Sequence, residues 1–350
     1  MATALALLVM SRRERYAKYT ETFFDTFDTA VTVVAYTKTE AEFDAYFAEI
    51  HSRFQELHKL YDIYNTYEGM SNARTINQNA GIGPVRVDKD LLDLIAVSKE
   101  WHERTGGVTN IAMGSVLRIW HEYREAGTAD PESAELPPID DLRQAAQHTD
   151  IDKVVVDTEK SAVYLDDEMM SIDLGAVAKG YATEIVAREI EATGLKSAVL
   201  SSGGNVRTIG KPLDGVRERW GIGIQDPSRA ILSDEENLLD VVFLNDSSVV
   251  SSGDYQRFYV VGEERIHHLI DPKTLMPGNY FRAVTVVAPD SGFADFMSTT
   301  LFLMPLQEGQ DLARTMEVDA VWVAPDGTVE MTEGFAAIAK SRGATGAEAK

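Results

Sequence analysis

Cysteine is absent from all 350 residues, which removes disulfides, thiolate nucleophiles and cysteine-based zinc sites from consideration. That absence leaves the compartment open, since a secreted chain can fold without disulfides. Long apolar runs are also missing. The opening "MATALALLVM" is too short to cross a bilayer and lacks a basic n-region and a clear cleavage site, so it reads as a signal remnant or a frayed start. Positive charge is scarce as well, with 33 Lys+Arg against 56 Asp+Glu and a net charge of −23. Such a chain repels nucleic acid and anionic membrane unless a local basic patch intervenes, and only the short "SRRER" near the start stands out. No nucleic-acid partner is expected, and a polyanionic ligand would need a counter-ion, most simply a divalent metal.

What is present describes an ordinary soluble globular protein, 44% hydrophobic and 25% charged, long enough for one large domain or two packed intimately together. "FFDTFDTAVTVVAYT" (23–37) alternates and reads as a strand, and "EAEFDAYFAEIHSRFQELHKLY" after it carries apolar residues at helical spacing. The Asn-rich, Gly-punctuated stretch from Asp62 to Asp88 is too long for a mere connector. A helix follows over 88–104, then "TGGVTNIAMGSVLRIW" as a turn with a strand or short helix, and a surface excursion over 126–150. Strands over 153–157 and 161–165 lead to a helix over 176–193, and the second half is strand-rich, with helices at "FADFMSTTLFLM" and "LQEGQDLARTM". No repeat and no clean linker appears, so an α+β fold of interlocked subdomains is expected: an extension over 1–22, a main domain over 23–335 and a disordered tail over 336–350. The tail places Thr345 among small residues, faintly like a modification acceptor, and reads as padding.

In "SIDLGAVAKGYATEIVAREI" (171–190) a lone acid, Asp173, opens a small-residue turn and a lone base, Lys179, sits where the helix begins. A helix start with free N–H groups beside a lysine is what a phosphate needs, although an Asp that caps its own turn is the commoner reason for this pattern. "SSGGNVRTIG" (201–210) breaks a strand with paired glycines, read equally as a close-approach point or a bulge. "SSGDYQRF" supplies small donors at Ser252 and Gly253 with Arg257 close behind. "HHLIDPKT" holds His268 and Ile270, and in "FADFMSTTLF" Asp295 and Thr299 stand four apart, where one helix face could present both oxygens to a hard cation, although an N-cap Asp with a back-bonded Thr is the commoner fate of such a pair.

Taken in order, "YNTYEGMSNARTIN", "TGGVTNIAMGSVLRIW", "IDLGAVAKGYA", "SSGGNVRTIG", "SSGDYQRF", "HHLIDPKT" and "AVTVVAPDSGFADFMSTTLF" resemble the ApbE family of FAD:protein FMN transferases, from about Phe23 to about Phe335. The resemblance implies mixed, T-fold-like sheets with packed helices. It implies a Mg²⁺-dependent enzyme that splits FAD, esterifies FMN through its phosphate to a Thr or Ser of an acceptor flavoprotein, and releases AMP. Asp173 and Lys179 would face the flavin nucleotide, as would Phe27, Tyr64, Val108, Thr109, Asn110, Ser252, Gly253, Arg257, His268 and Ile270. The Ala176 carbonyl, Asp295, Ser298 and Thr299 would hold the metal, with His268 and Asp295 as catalytic groups and His268 as the candidate base by its chemistry.

The chain departs from the family pattern at several positions. Phe27-Asp28-Thr29 replaces a common Met-Gly-Thr, Ser298 replaces a frequent second acid, Leu275 replaces a usual Gly, and Asn205 and Asn110 stand where Asp is frequent. The lipobox cysteine of exported members is missing, so membrane association is expected only through the N-terminal segment. The resemblance favours the cell envelope and an electron-transport subunit as acceptor, with the cytoplasm as the alternative. Two other functions share the site: an FAD pyrophosphatase giving FMN and AMP, and a flavin-binding protein without catalysis.

Overall fold

The computed structural model describes residues 15–229 and 237–347. Its strands are β1 (Ala17–Thr26), β2 (Thr29–Thr37), β3 (Val85–Arg86), β4 (Val154–Asp157), β5 (Ala162–Leu165), β6 (Ala198–Ser202), β7 (Asn205–Ile209), β8 (Trp220–Gln225), β9 (Leu238–Leu244), β10 (Ser248–Gly253), β11 (Phe258–Val261), β12 (Glu264–His267), β13 (Ala283–Ala288), β14 (Asp319–Val323) and β15 (Val329–Met331). Its helices are α1 (Glu40–Tyr61), α2 (Ala73–Gln78), α3 (Lys89–Arg104), α4 (Gly114–Ala129), α5 (Ile139–Ala145), α6 (Ala178–Ala192), α7 (Ser291–Phe302), α8 (Leu306–Thr315) and α9 (Glu333–Ile338).

An antiparallel eight-stranded sheet in the order β1-β2-β6-β7-β10-β13-β14-β15 is the centre of the molecule. The period-two alternation of "AVTVVAYT" decides which side each residue serves. Val31, Val33 and Ala35 enter the core under α1 and α6, while Val34 and Tyr36 face the layer built from β8, β9 and α9. Helix α7 continues the first layer over β10 and β13, with Met297, Leu301 and Phe302 packed on Val250, Val284 and Val286. Helices on one face of an antiparallel sheet make this an α+β fold, as expected.

Several local readings change. The stretch over 23–37 is two strands, not one, joined at Phe27 and Asp28, whose φ values of 52° and 50° match the two-residue hairpin turns that suit right-handed strand twist. Sheet pairing starts at Ala17 opposite Thr37, inside the segment expected to be an extension. The "MATALALLVM" start lies outside the described residues. The long Asn-rich loop contains α2, closed by a capping box between Asn72 and Thr75. What read as a strand or short helix near 116 is the 16-residue α4. In the described part of the tail the Gly346 carbonyl accepts the N–H groups of Glu218 (2.7 Å) and Arg219 (3.2 Å), which sets exposed Thr345 beside β8. Leu275, where the resemblance leads one to expect Gly, sits at φ 63° and is buried against α4, its carbonyl accepting from Trp120 Nε1 at 3.0 Å.

A non-glycine residue in the left-handed region is strained, and Asp28 is exposed with no packing to offset that strain. Asp28→Gly should therefore raise unfolding stability by about 0.5–1 kcal/mol, seen as a higher urea midpoint at constant slope. A lower midpoint would mean that the aspartate makes a stabilising contact in the turn.

Candidate active site

The small-residue turn before α6 is held from both sides. The Asn77 side chain accepts the Ile172 N–H (2.8 Å) and donates to the Ile172 carbonyl (2.9 Å), while the Asp173 N–H donates to the Ile111 carbonyl (2.8 Å). Asp173 then caps its own turn, its Oδ1 accepting the Gly175 N–H at 2.8 Å. Desolvation pushes the Asp173 carboxyl above the usual carboxylate range, opposed by that hydrogen bond and by the positive charges of Arg124 and Arg257.

The first turn of α6 does not offer its donors to a ligand in the way the sequence suggested. Its N-cap, Val177, has no side-chain oxygen, and the Ala178 N–H donates to the Leu174 carbonyl at 2.8 Å. The Gly180 N–H donates to Asp295 Oδ2 at 2.8 Å, so a carboxylate from α7 caps α6. The same oxygen lies 3.9 Å from Lys179 Nζ, and the other carboxylate oxygen makes no hydrogen bond among the described residues. Such close approach needs glycine, because a Cβ at position 180 would overlap the Ser291 carbonyl and Asp295 Cβ. Behind this contact, buried Glu184 takes Arg207 Nε (3.0 Å), Arg188 Nε (2.7 Å) and the Ser291 N–H (2.8 Å), locking α6, β7 and the start of α7 together.

One turn further along α7, Thr299 is 7% exposed and its Oγ1 lies 3.4 Å from Ser252 Oγ at the end of β10. It is Thr300 and not Thr299 that bonds back to its own helix, at the Phe296 carbonyl. Ser298 is fully buried, donates to the Asp295 carbonyl (2.9 Å) and pairs with Ser252 Oγ (2.7 Å). Among the described residues no group of three or more His, Asp or Glu side chains is placed to hold a metal.

The facing bank is basic. His268 Nδ1 lies 3.3 Å from the Arg257 carbonyl and so carries the proton there, which leaves Nε2 as an acceptor. Burial, reinforced by the charges of Arg257, His267, Arg124 and Lys179, lowers its pKa from 6.5 to about 3. Tyr64, 56% exposed, stands with its ring 5.2 Å from that of His121, and desolvation pushes its hydroxyl up to about 12. The basic patch that seemed missing is therefore assembled from Lys179, Arg257, His268 and two residues the sequence reading passed over, His121 and Arg124 of α4. Their spacing in "WHEYREAG" places them one helical turn apart, a signal that becomes visible only once 114–129 is known to be helix.

Other expected contacts have structural duties. Asn110 caps the following turn through the Ala112 N–H (2.8 Å) and donates to the Thr149 carbonyl (2.9 Å). Thr109 pairs its hydroxyl with Thr300 (2.8 Å), and Val108 packs on the α7 core. Phe27 packs its ring against Phe54 and His58, and Ile270 is buried among Met113, Val116 and Trp120. Gly253 lies where a Cβ would collide with the Tyr255 ring, and Ala176 is half-buried in the turn before α6.

The ApbE family profile matches residues 27–322, which include the Asp173 turn, the basic bank and Asp295. This chain belongs to the ApbE family. It is 30% identical over 306 residues to an FAD:protein FMN transferase of Treponema pallidum (strain Nichols), covering 82% of this chain and 81% of that one. It is also 30% identical over 272 residues to one of Klebsiella pneumoniae (strain 342), covering 77% and 80%. Among solved structures, the ApbE protein of Thermotoga maritima superposes with a TM-score of 0.78 at 25% identity, over 93% of this chain and 99% of that one. The flavin transferase ApbE of Vibrio cholerae shares the fold at 20% identity, with a TM-score of 0.74 over 92% of this chain and 99% of that one.

Two outcomes follow for this ApbE-family chain. Gly180→Ala should cost about 1–3 kcal/mol in urea unfolding, because the methyl group forces α6 away from α7; an unchanged midpoint would show that the junction can slide. His268 is neutral in the folded state down to about pH 3, whereas in the unfolded state it takes up a proton below about 6.5. Its contribution is thus present above about pH 6.5 and lost as pH falls toward 3. His268→Gln should flatten the fall in Tm between pH 7 and pH 4, and a parallel fall in both proteins would refute the depressed pKa.

Proposed function

We propose that this chain is an FAD:protein FMN transferase. The supporting observation is that relatives bearing that name align over about four fifths of both chains, through the segments that build the cleft. In the reaction a Ser or Thr hydroxyl of an acceptor flavoprotein attacks the FMN-side phosphorus of FAD. The new P–O bond forms as the bond to the bridging oxygen breaks, and AMP leaves with the bridging oxygen. The main difficulty is electrostatic, since the phosphates repel a nucleophile while charge builds on the leaving group.

The residues present suit that task. Lys179 and Arg257 supply positive charge to the pyrophosphate without any net positive charge on the protein. Neutral His268, with Nε2 available, is the proposed acceptor for the hydroxyl proton, and neighbouring phosphates would raise its basicity from the depressed value. Asp295, Thr299 and the Ala176 carbonyl would hold a Mg²⁺ ion. Their single carboxylate and free carboxylate oxygen fit a cation that keeps waters and takes substrate phosphates as ligands. When bound, the ion supplies Lewis-acid stabilisation of the pyrophosphate oxygens.

The proposed acceptor is a short flexible Ser- or Thr-bearing segment, because a strand paired in a sheet could not enter the cleft. We place its owner among electron-transport flavoproteins at the cell envelope, on the family resemblance. Incubation with FAD, Mg²⁺ and such an acceptor should leave a covalent FMN adduct detectable by mass spectrometry. AMP release at a rate indifferent to acceptor would establish an FAD pyrophosphatase instead, and FAD that stays intact would establish a flavin-binding protein. Asp295→Ala should lower turnover at least about 100-fold while FAD still binds; unchanged turnover would remove this carboxylate from the mechanism.

A further inference from the structure

Arg124 is half-buried on α4, and among the described residues no carboxylate lies within ion-pair distance of it. Its one protein hydrogen bond runs from Nη2 to His121 Nδ1 at 2.7 Å. That bond fixes the histidine tautomer, because a ring nitrogen that accepts from a guanidinium is unprotonated, so the proton sits on Nε2, which lies 3.2 Å from Glu125 Oε1. The guanidinium is thereby oriented by a neutral side chain, and its remaining donors have no protein acceptor among the described residues. Asp173 acts on it electrostatically, but the aspartate's Oδ1 is committed to the Gly175 N–H.

A second cation, Arg257, lies within electrostatic reach of Arg124, together with the carboxylates of Glu125 and Asp173, neither of which is in ion-pair contact with it. Arg257 disfavours the charged form of Arg124, and both lie within electrostatic reach of His268. Arg257 comes near α4 because it immediately precedes β11, on which α4 docks. Gly127 allows Tyr259 to approach, where a Cβ would come within 2.6 Å of the tyrosine ring, and Tyr259 is tied by its hydroxyl to the Glu135 carbonyl at 3.0 Å. A half-buried guanidinium with no carboxylate in ion-pair contact among the described residues and a second arginine within electrostatic reach, in a chain of net charge −23, makes a receptor for an anion.

We propose that Arg124, oriented by His121, is a specificity-determining residue that grips a phosphate of the dinucleotide. Through it the cleft distinguishes phosphorylated nucleotides from the bare flavin. This rests on the transferase reading for the identity of the ligand, and on the side-chain arrangement alone for the anion.

Isothermal titration of the full chain with FAD, ADP and riboflavin tests it. Arg124→Gln should weaken FAD and ADP binding about tenfold or more, and change riboflavin binding less than about twofold. Arg124→Lys should recover part of the loss, since charge survives without the planar fork. In turnover, Arg124→Gln should raise KM for FAD much more than it lowers kcat. Unchanged FAD and ADP affinity in Arg124→Gln would overturn the proposal, and so would a parallel loss of riboflavin, which would mark a structural role. Should the unmodified protein bind ADP but not FAD, the transferase reading falls while the ADP titrations still decide the role of Arg124.

Discussion

The hydrogen bond from the Gly180 N–H to Asp295 is the contact on which the rest of the site depends. It is a helix cap supplied by another helix, and it fixes where two long elements of the first layer meet. Because the N-terminus of α6 carries partial positive charge, the carboxylate stays favourable there despite being 4% exposed. The same contact sets the Lys179 ammonium near Asp295 and directs the remaining carboxylate oxygen away from the cap. The Glu184–Arg207 pair behind it resists sliding of either helix, so the position of the carboxylate is set by packing and not by a loop.

Around that junction the molecule reverses its own charge. Acidic residues dominate the chain, yet the bank opposite Asp295 gathers Arg124, Arg257 and His268, with Lys179 across from them. Local field and not net charge decides what a cleft binds, and low-dielectric walls strengthen that field. Depressed basicity at His268 and weakened acidity at Asp173 and Tyr64 share one leading cause, desolvation.

The departures from the family pattern also have physical explanations. Phe27, Asp28 and Leu275 occupy left-handed backbone where glycine is easier, and the fold tolerates them because Phe27 and Leu275 gain packing and Asp28 sits at a two-residue hairpin. Ser298, in place of an acid, is absorbed into a hydroxyl chain with Ser252 instead of leaving an unpaired buried charge.

By itself the sequence determined the elements with strong period, such as α1 and the alternating β2, and the short motifs whose chemistry is local: the Asp173 turn, Lys179, and the Asp295 and Thr299 spacing on α7. Those are legible because periodicity and turn chemistry act over a few residues. The tertiary structure alone decided that α6 is capped by Asp295, that Ser298 and Asn110 are engaged elsewhere, that the tail is docked, and that α4 brings His121 and Arg124 to the cleft. Each of these joins residues far apart in the chain through a single close contact. Such contacts depend on the angle and distance at which elements pack, quantities that no local pattern of residues encodes.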